Sequence, residues 1–210
     1  MKNTVCIYPK DQTTDFLLPL YEHICTNIQA IGIHEDTTED DDSLDRIYEV
    51  IKDADVVIFL GHGTSKVLYG SRCDNVVFEY LNHSLLLDKR LFLLSCNSNQ
   101  FIKNYKLTDA IGFGFLPTSL DDARQTKDFH NISIVDLEKK DVDCFNVALV
   151  NAFINTISDT TIVDFYLFKE RLNFNISKGI VQCLLKKETP NYRIIADELY
   201  FVYKDMIIIK

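Results

Sequence analysis

Five consecutive apolar residues, Val56-Val57-Ile58-Phe59-Leu60, stop at Gly61-His62-Gly63-Thr64, and a matching run, Leu91-Phe92-Leu93-Leu94, stops at Ser95-Cys96-Asn97. A strand with one wet face alternates apolar and polar side chains; one that is apolar throughout is covered on both faces, as strands inside a parallel sheet are. The remaining elements must therefore supply layers on both sides of a sheet. Val5 to Tyr8, Ala30 to Ile33 and Ala110 to Phe115 read as further strands, the last closed by Leu116-Pro117-Thr118. Between them, Thr14 to Asn27 carries Phe16, Leu17, Leu20 and Ile24 at helical spacing, with Asp11, Thr13 or Thr14 as caps. Pro19 favours a start close to itself, where its missing N–H costs nothing. A second helix should run from Leu44 to near Lys52, capped by Asp42 or Ser43, and Val76, Val77, Tyr80 and Leu81 suggest a third. Strands alternating with helices at this spacing predict a doubly wound, mostly parallel sheet.

The chain then changes character. Asp121 to Asn131 reads as a polar loop. Asp143 to Ile157, Ile162 to Leu172 and Ile176 to Leu185 read as helices, and Leu199 to Ile209 as a β-hairpin turning at Lys204-Asp205. At 210 residues one domain is expected, with residues 1–135 as its core and residues 136–210 as a helical and hairpin completion. The formal charge of -9 argues against nucleic acid as the main partner, because such binding draws on clustered Lys and Arg; a neutral or basic partner fits better. The acidic stretch from Glu35 to Asp42 reads as solvated surface. No apolar run approaches the roughly 20 residues of a membrane span, and the first residues lack a signal-peptide core. Six cysteines without a C-x-x-C pair point to reduced thiols and a cytoplasmic setting. Cys6, Cys25, Cys144 and Cys183 read as core residues, and the histidines lack zinc-ligand spacing, so neither metal nor cofactor is expected.

In open α/β sheets, chemistry gathers at the carboxyl ends of the strands. His62 and Cys96 both fall there, one strand-crossover-strand unit apart. A cysteine attacks as thiolate, so a neighbouring imidazole that takes its proton, and later donates to a leaving amine, completes a nucleophilic pair. The N–H groups of Gly63 and Cys96 are the candidates to hold the developing oxyanion. Ser95 and Ser98 read as turn formers, since neither sits in a G-x-S-x-G elbow, and His34 as an accessory residue at the same rim.

From Asp55 to Pro117 the segments Ile58-Phe59-Leu60-Gly61-His62-Gly63, Leu93-Leu94-Ser95-Cys96-Asn97-Ser98 and Ile111-Gly112-Phe113-Gly114-Phe115 resemble the caspase-like cysteine peptidases, clan CD, and most closely their bacterial CHAT branch. The resemblance implies a three-layer sandwich, a His62–Cys96 catalytic dyad and an oxyanion role for Gly63. It also implies a cysteine endopeptidase acting on protein or peptide, held in check by a regulatory protein in bacterial defence or cell death. Metacaspases place an acid where Leu94 stands, and the caspase Q-A-C-R-G signature is absent, so neither specificity follows. Asp121 and Asp122 are candidates for a pocket taking a basic side chain, against the simpler reading of a solvated loop. A catalytically inactive caspase-like interaction module is the competing reading, and a nucleotide-sensing domain a third.

Overall fold

A computed structural model describes residues 3–38, 42–121, 137–159 and 164–210. They form two compact units, Met1–Gly114 with Met206–Lys210, and Phe115–Asp205. The units meet in sequence between Gly114 and Phe115, ahead of the seam expected at residue 135, and the last five residues return to the first.

The first unit is α/β. In chain order it contains β1 (Thr4–Ile7), α1 (Leu18–Asn27), β2 (Ile31–Ile33), α2 (Asp42–Lys52), β3 (Val56–Leu60), β4 (Leu68–Tyr69), β5 (Val76–Phe78), β6 (Arg90–Leu94), α3 (Ser98–Asn104) and β7 (Ala110–Gly112), with β8 (Ile207–Ile209) from the far end of the chain. The main sheet has the order β2-β1-β3-β6-β7-β8. Its first five strands are parallel, and β8 runs antiparallel to β7.

The chain steps from β1 to β2 in one direction and then crosses back to β3 on the other side of β1. Right-handed crossovers taken in opposite directions place their helices on opposite faces. Accordingly α1 covers the face bearing Cys6 and Gly32, where a side chain on Gly32 would collide with Tyr21 and Cys25. Ile47 and Ile51 of α2, with Phe101 and Ile102 of α3, join Val5, Ile7, Val57, Phe59, Leu91 and Leu93 in the core of the other face. Every residue of β3 and nearly all of β6 is buried, at about 1.5–3 kcal/mol per large side chain. That burial is what the continuous apolar runs require.

Pro19 stands in the first turn of α1, behind a 3-10 turn over Gln12–Leu17, so the helix starts late as Pro19 favoured. The start of α2 is earlier than expected: Ser43 lies inside it and donates to the Thr37 carbonyl at 3.3 Å. The helix expected at Val76 does not form. Val76-Val77-Phe78 is instead a strand paired with β4, and Tyr80 and Leu81 are exposed. Two β-branched residues and an aromatic fit a pleated surface better than a helix. The β7 strand stops at Gly112 rather than Phe115, because the Phe113 and Gly114 carbonyls turn to accept the Asn99 and Asn97 N–H groups at 2.9 and 2.8 Å. The acidic stretch is more than solvated surface in its described part, since Glu35 pairs with Arg46, Asp36 pairs with Arg72, and Thr37 is buried.

The second unit is helical, with α4 (Lys139–Asp159), α5 (Phe165–Lys186) and α6 (Tyr192–Lys204). The two helices expected after residue 162 are one: Asn173 to Asn175 contains no Gly or Pro to break it, and the buried Asn175 amide donates to Thr156 of α4 at 3.1 Å. Asp164 caps α5 by accepting the Tyr166 and Leu167 N–H groups. The expected terminal hairpin is also absent. Ile195, Leu199 and Val202 are buried at helical spacing in α6, and only Ile207–Ile209 is strand. Among the described residues, no helix is long and apolar enough to cross a membrane.

Candidate active site

Leu60 and Leu94 are register partners at the ends of β3 and β6, and the Gly61 N–H extends the ladder to the Leu94 carbonyl at 3.2 Å. His62 and Cys96 each stand two residues beyond that pair, on neighbouring loops at one rim. The loops are in contact. A Cβ on Gly63 would lie 2.6 Å from the Ser95 hydroxyl and 3.0 Å from Leu68 Cδ2, so only glycine fits without displacing Ser95 or Leu68. Gly63→Ala is expected to cost about 1–3 kcal/mol in urea unfolding, the usual penalty of overpacking.

Gly63 faces Leu68 across an isolated antiparallel bridge whose hydrogen bonds belong to its neighbours, Thr64 N–H to Val67 O at 2.8 Å and Tyr69 N–H to His62 O at 3.0 Å. In such a non-hydrogen-bonded pair the Gly63 N–H points away from the hairpin. Among the described residues it has no acceptor, as an oxyanion donor requires. The loop after Cys96 is fixed firmly: Asn97 takes a left-handed conformation (φ 56°) that asparagine tolerates, and the Ser98 hydroxyl donates to Leu93 O at 2.6 Å and accepts from Phe113 N at 2.8 Å. Ser98 is thus a turn former. The Ser95 hydroxyl is buried with no hydrogen-bond partner among the described residues.

The His62 imidazole, a quarter exposed, is gripped from the β1 side. Its Nε2 lies 2.7 Å from Thr13 Oγ1 and 3.6 Å from Asp11 Oδ2. Thr13 Oγ1 is also 2.7 Å from Asp11 Oδ1. A carboxylate only accepts, so the single Thr13 hydroxyl proton goes to Asp11, and Nε2 must donate to Thr13. This network requires a proton on Nε2, so that in the neutral ring Nδ1 is the basic nitrogen. Asp11 is held in turn by the N–H groups of Thr13 at 2.8 Å and Arg72 at 2.7 Å. Arg72 reaches it from a left-handed backbone (φ 56°), an uncommon conformation for a non-glycine residue.

Asp11 and Thr13 follow β1, and His62 follows β3. These are the two strands across which the sheet order reverses, the place where open α/β sheets bind their ligands. Sequence reading took both residues only for helix caps. Asp11 does cap the 3-10 turn, and the signal for its second role is its position as an early polar residue after a strand adjacent to β3.

Burial pushes the Asp11 carboxyl up, but the Thr13 bonds, the His62 charge and the Arg72 N–H outweigh it and hold the group below the ordinary carboxylate range. A lowered acid contributes stability above its unfolded pKa and loses it as pH falls through the folded value. Asp11→Asn is therefore expected to cost about 1–2 kcal/mol at pH 7, with the gap from wild type closing in acid below about pH 4. Urea titrations at both pH values measure it.

The other expected residues fall as follows. His34 Nδ1 lies 2.9 Å from Tyr8 O and its ring stacks on Tyr8 at 4.5 Å, an accessory place beside β1. Asp121 is exposed and belongs to the second unit, while Asp122 lies outside the described residues. Cys96 is half-buried, and of the four cysteines expected in the core only Cys6 is fully enclosed. Among the described residues no three His, Cys, Asp or Glu side chains cluster as metal ligands would. No protein-family model, no curated protein and no solved structure matches the chain.

Proposed function

We propose that the chain is a cysteine endopeptidase of caspase-like type, with Cys96 as nucleophile and His62 as its acid and base partner. The observation that supports this reading is the pairing of the two loops: their strands end in register and Gly63 lies against Ser95, so His62 and Cys96 occupy neighbouring loops of one rim. His62 Nδ1 takes the Cys96 proton, and the thiolate adds to the scissile carbonyl. The oxyanion that forms accepts from the N–H groups of Gly63 and Cys96. The imidazolium then gives its proton to the leaving amine, which departs and leaves a thioester. Water, deprotonated by the same nitrogen, releases the acid and restores the thiol. Asp11 and Thr13 are positioning residues: they fix the tautomer and steady the imidazolium without touching substrate.

A protein or peptide substrate, a regulatory partner and a role in bacterial defence or cell death belong to the same proposal and rest on the family resemblance. An electrophilic peptide probe followed by mass spectrometry tests it. Selective modification of Cys96 that disappears in His62→Ala supports catalysis. Modification of Cys96 that is indifferent to His62 assigns the fold to the non-catalytic interaction module.

A further inference from the structure

The helix α5 carries an apolar stripe that its own unit leaves uncovered. Leu167, Phe174 and Val181, seven residues apart, are 44%, 61% and 52% exposed. Phe168, Leu172, Asn175 and Ile176 meanwhile occupy the buried side of the same helix. Seven residues bring an α-helix back to the same face, so the three side chains form one line, with Glu170, Arg171, Ser177 and Lys178, all exposed, between them. Large apolar side chains exposed at one position of a seven-residue period, with charged groups between them, have the spacing of a helix-packing seam.

The order of these residues selects the partner. If two copies of α5 pack antiparallel about a two-fold axis at Phe174, each residue faces the one equally far on the other side of Phe174. Leu167 then meets Val181, Arg171 meets Ser177, and Glu170 meets Lys178, each twice by symmetry. Apolar faces apolar, the carboxylate faces the ammonium, and no like charges are opposed among these pairs. Among the described residues neither Glu170 nor Lys178 has an ion-pair partner within the chain, so both are available to another molecule. A two-fold interface needs a surface complementary to itself, and this stripe meets that condition. We propose that α5 is a homodimerisation face, with two copies of the chain joined by antiparallel packing centred on Phe174.

Multi-angle light scattering of the purified full chain at tens of micromolar tests the proposal. Wild type is expected at twice 24.2 kDa, and Phe174→Glu at 24.2 kDa with an unchanged circular dichroism spectrum. Lys178→Glu opposes two carboxylates and should weaken the dimer at least tenfold, while Glu170→Lys combined with Lys178→Glu re-forms the pairs and should restore it. A monomeric wild type overturns the proposal, as does a dimer indifferent to Phe174→Glu or a double variant no better than Lys178→Glu. Co-sedimentation of monomeric wild type with phosphatidylserine vesicles, lost in Phe174→Glu, also overturns it and gives the stripe to a lipid surface.

Discussion

Cys96→Ala is expected to reduce peptide hydrolysis to background, and His62→Ala to lower kcat/KM by about 10³-fold or more, equivalent to about 4 kcal/mol of transition-state stabilisation. The two groups act as a unit, because without the imidazole the thiol is seldom ionised, and without the thiol the imidazole has no proton to take. The double variant should therefore be no slower than either single one. A fluorogenic peptide library turned over by all four proteins measures this. Multiplying rather than saturating losses would show that the residues act separately, and turnover unchanged in Cys96→Ala would remove the nucleophile from the scheme. Thr13→Val should leave KM alone and lower kcat by about tenfold, since it removes only the group that holds Nε2–H.

The second large effect concerns Glu198 in α6. This side chain is 5% exposed, one of its carboxyl oxygens is buried without a hydrogen-bond partner among the described residues, and it lines a small cavity with Leu137, Val142, Phe145 and Ile195. Burial, reinforced by the charges of Asp197 and Asp205, pushes its carboxyl from 4.5 up to about 7. An acid with a raised folded pKa favours the folded state while it stays protonated. Between about pH 4.5 and 7 the unfolded chain releases this proton before the folded one does, so stability falls across that window by roughly 3 kcal/mol. Glu198→Gln removes the titrating proton and should gain about 2–3 kcal/mol on wild type at pH 8 relative to pH 5. Urea unfolding of both proteins at the two pH values checks it, and a wild-type stability flat from pH 5 to 8 would count against it. Asp11 acts at the opposite end, losing its contribution in acid.

The sheet and its rim were legible because their signals are local. Val56 to Leu60 and Arg90 to Leu94 fold with the bounds that their apolar runs mark, and each run ends two residues before the group of interest. What the sequence concealed depends on partners distant along the chain. Val76-Val77-Tyr80-Leu81 has the spacing of a helical face, and the strand preference of Val76-Val77-Phe78 wins once Phe78 pairs with Leu68. Leu199 to Val202 alternates well enough for a strand until Ile195 is counted on the same face. Asp11 and Thr13 carry no motif at all. Their second role depends on β1 lying beside β3, a consequence of strand order that a pass along the residues does not expose.

The antiparallel β8 has a consequence for how the protein is made. Its partner β7 is complete at Gly112, yet the register mate of that residue, Ile207, is synthesised roughly 95 residues later. At a translation rate of about 5–20 residues per second, the outer edge of β7 stays without its native neighbour for roughly 5–20 s while all of the second unit is added. Edge strands left bare are templates for foreign pairing. The nascent chain therefore passes through an interval in which that edge lacks its native partner, and the three isoleucines of β8 close the interval from within.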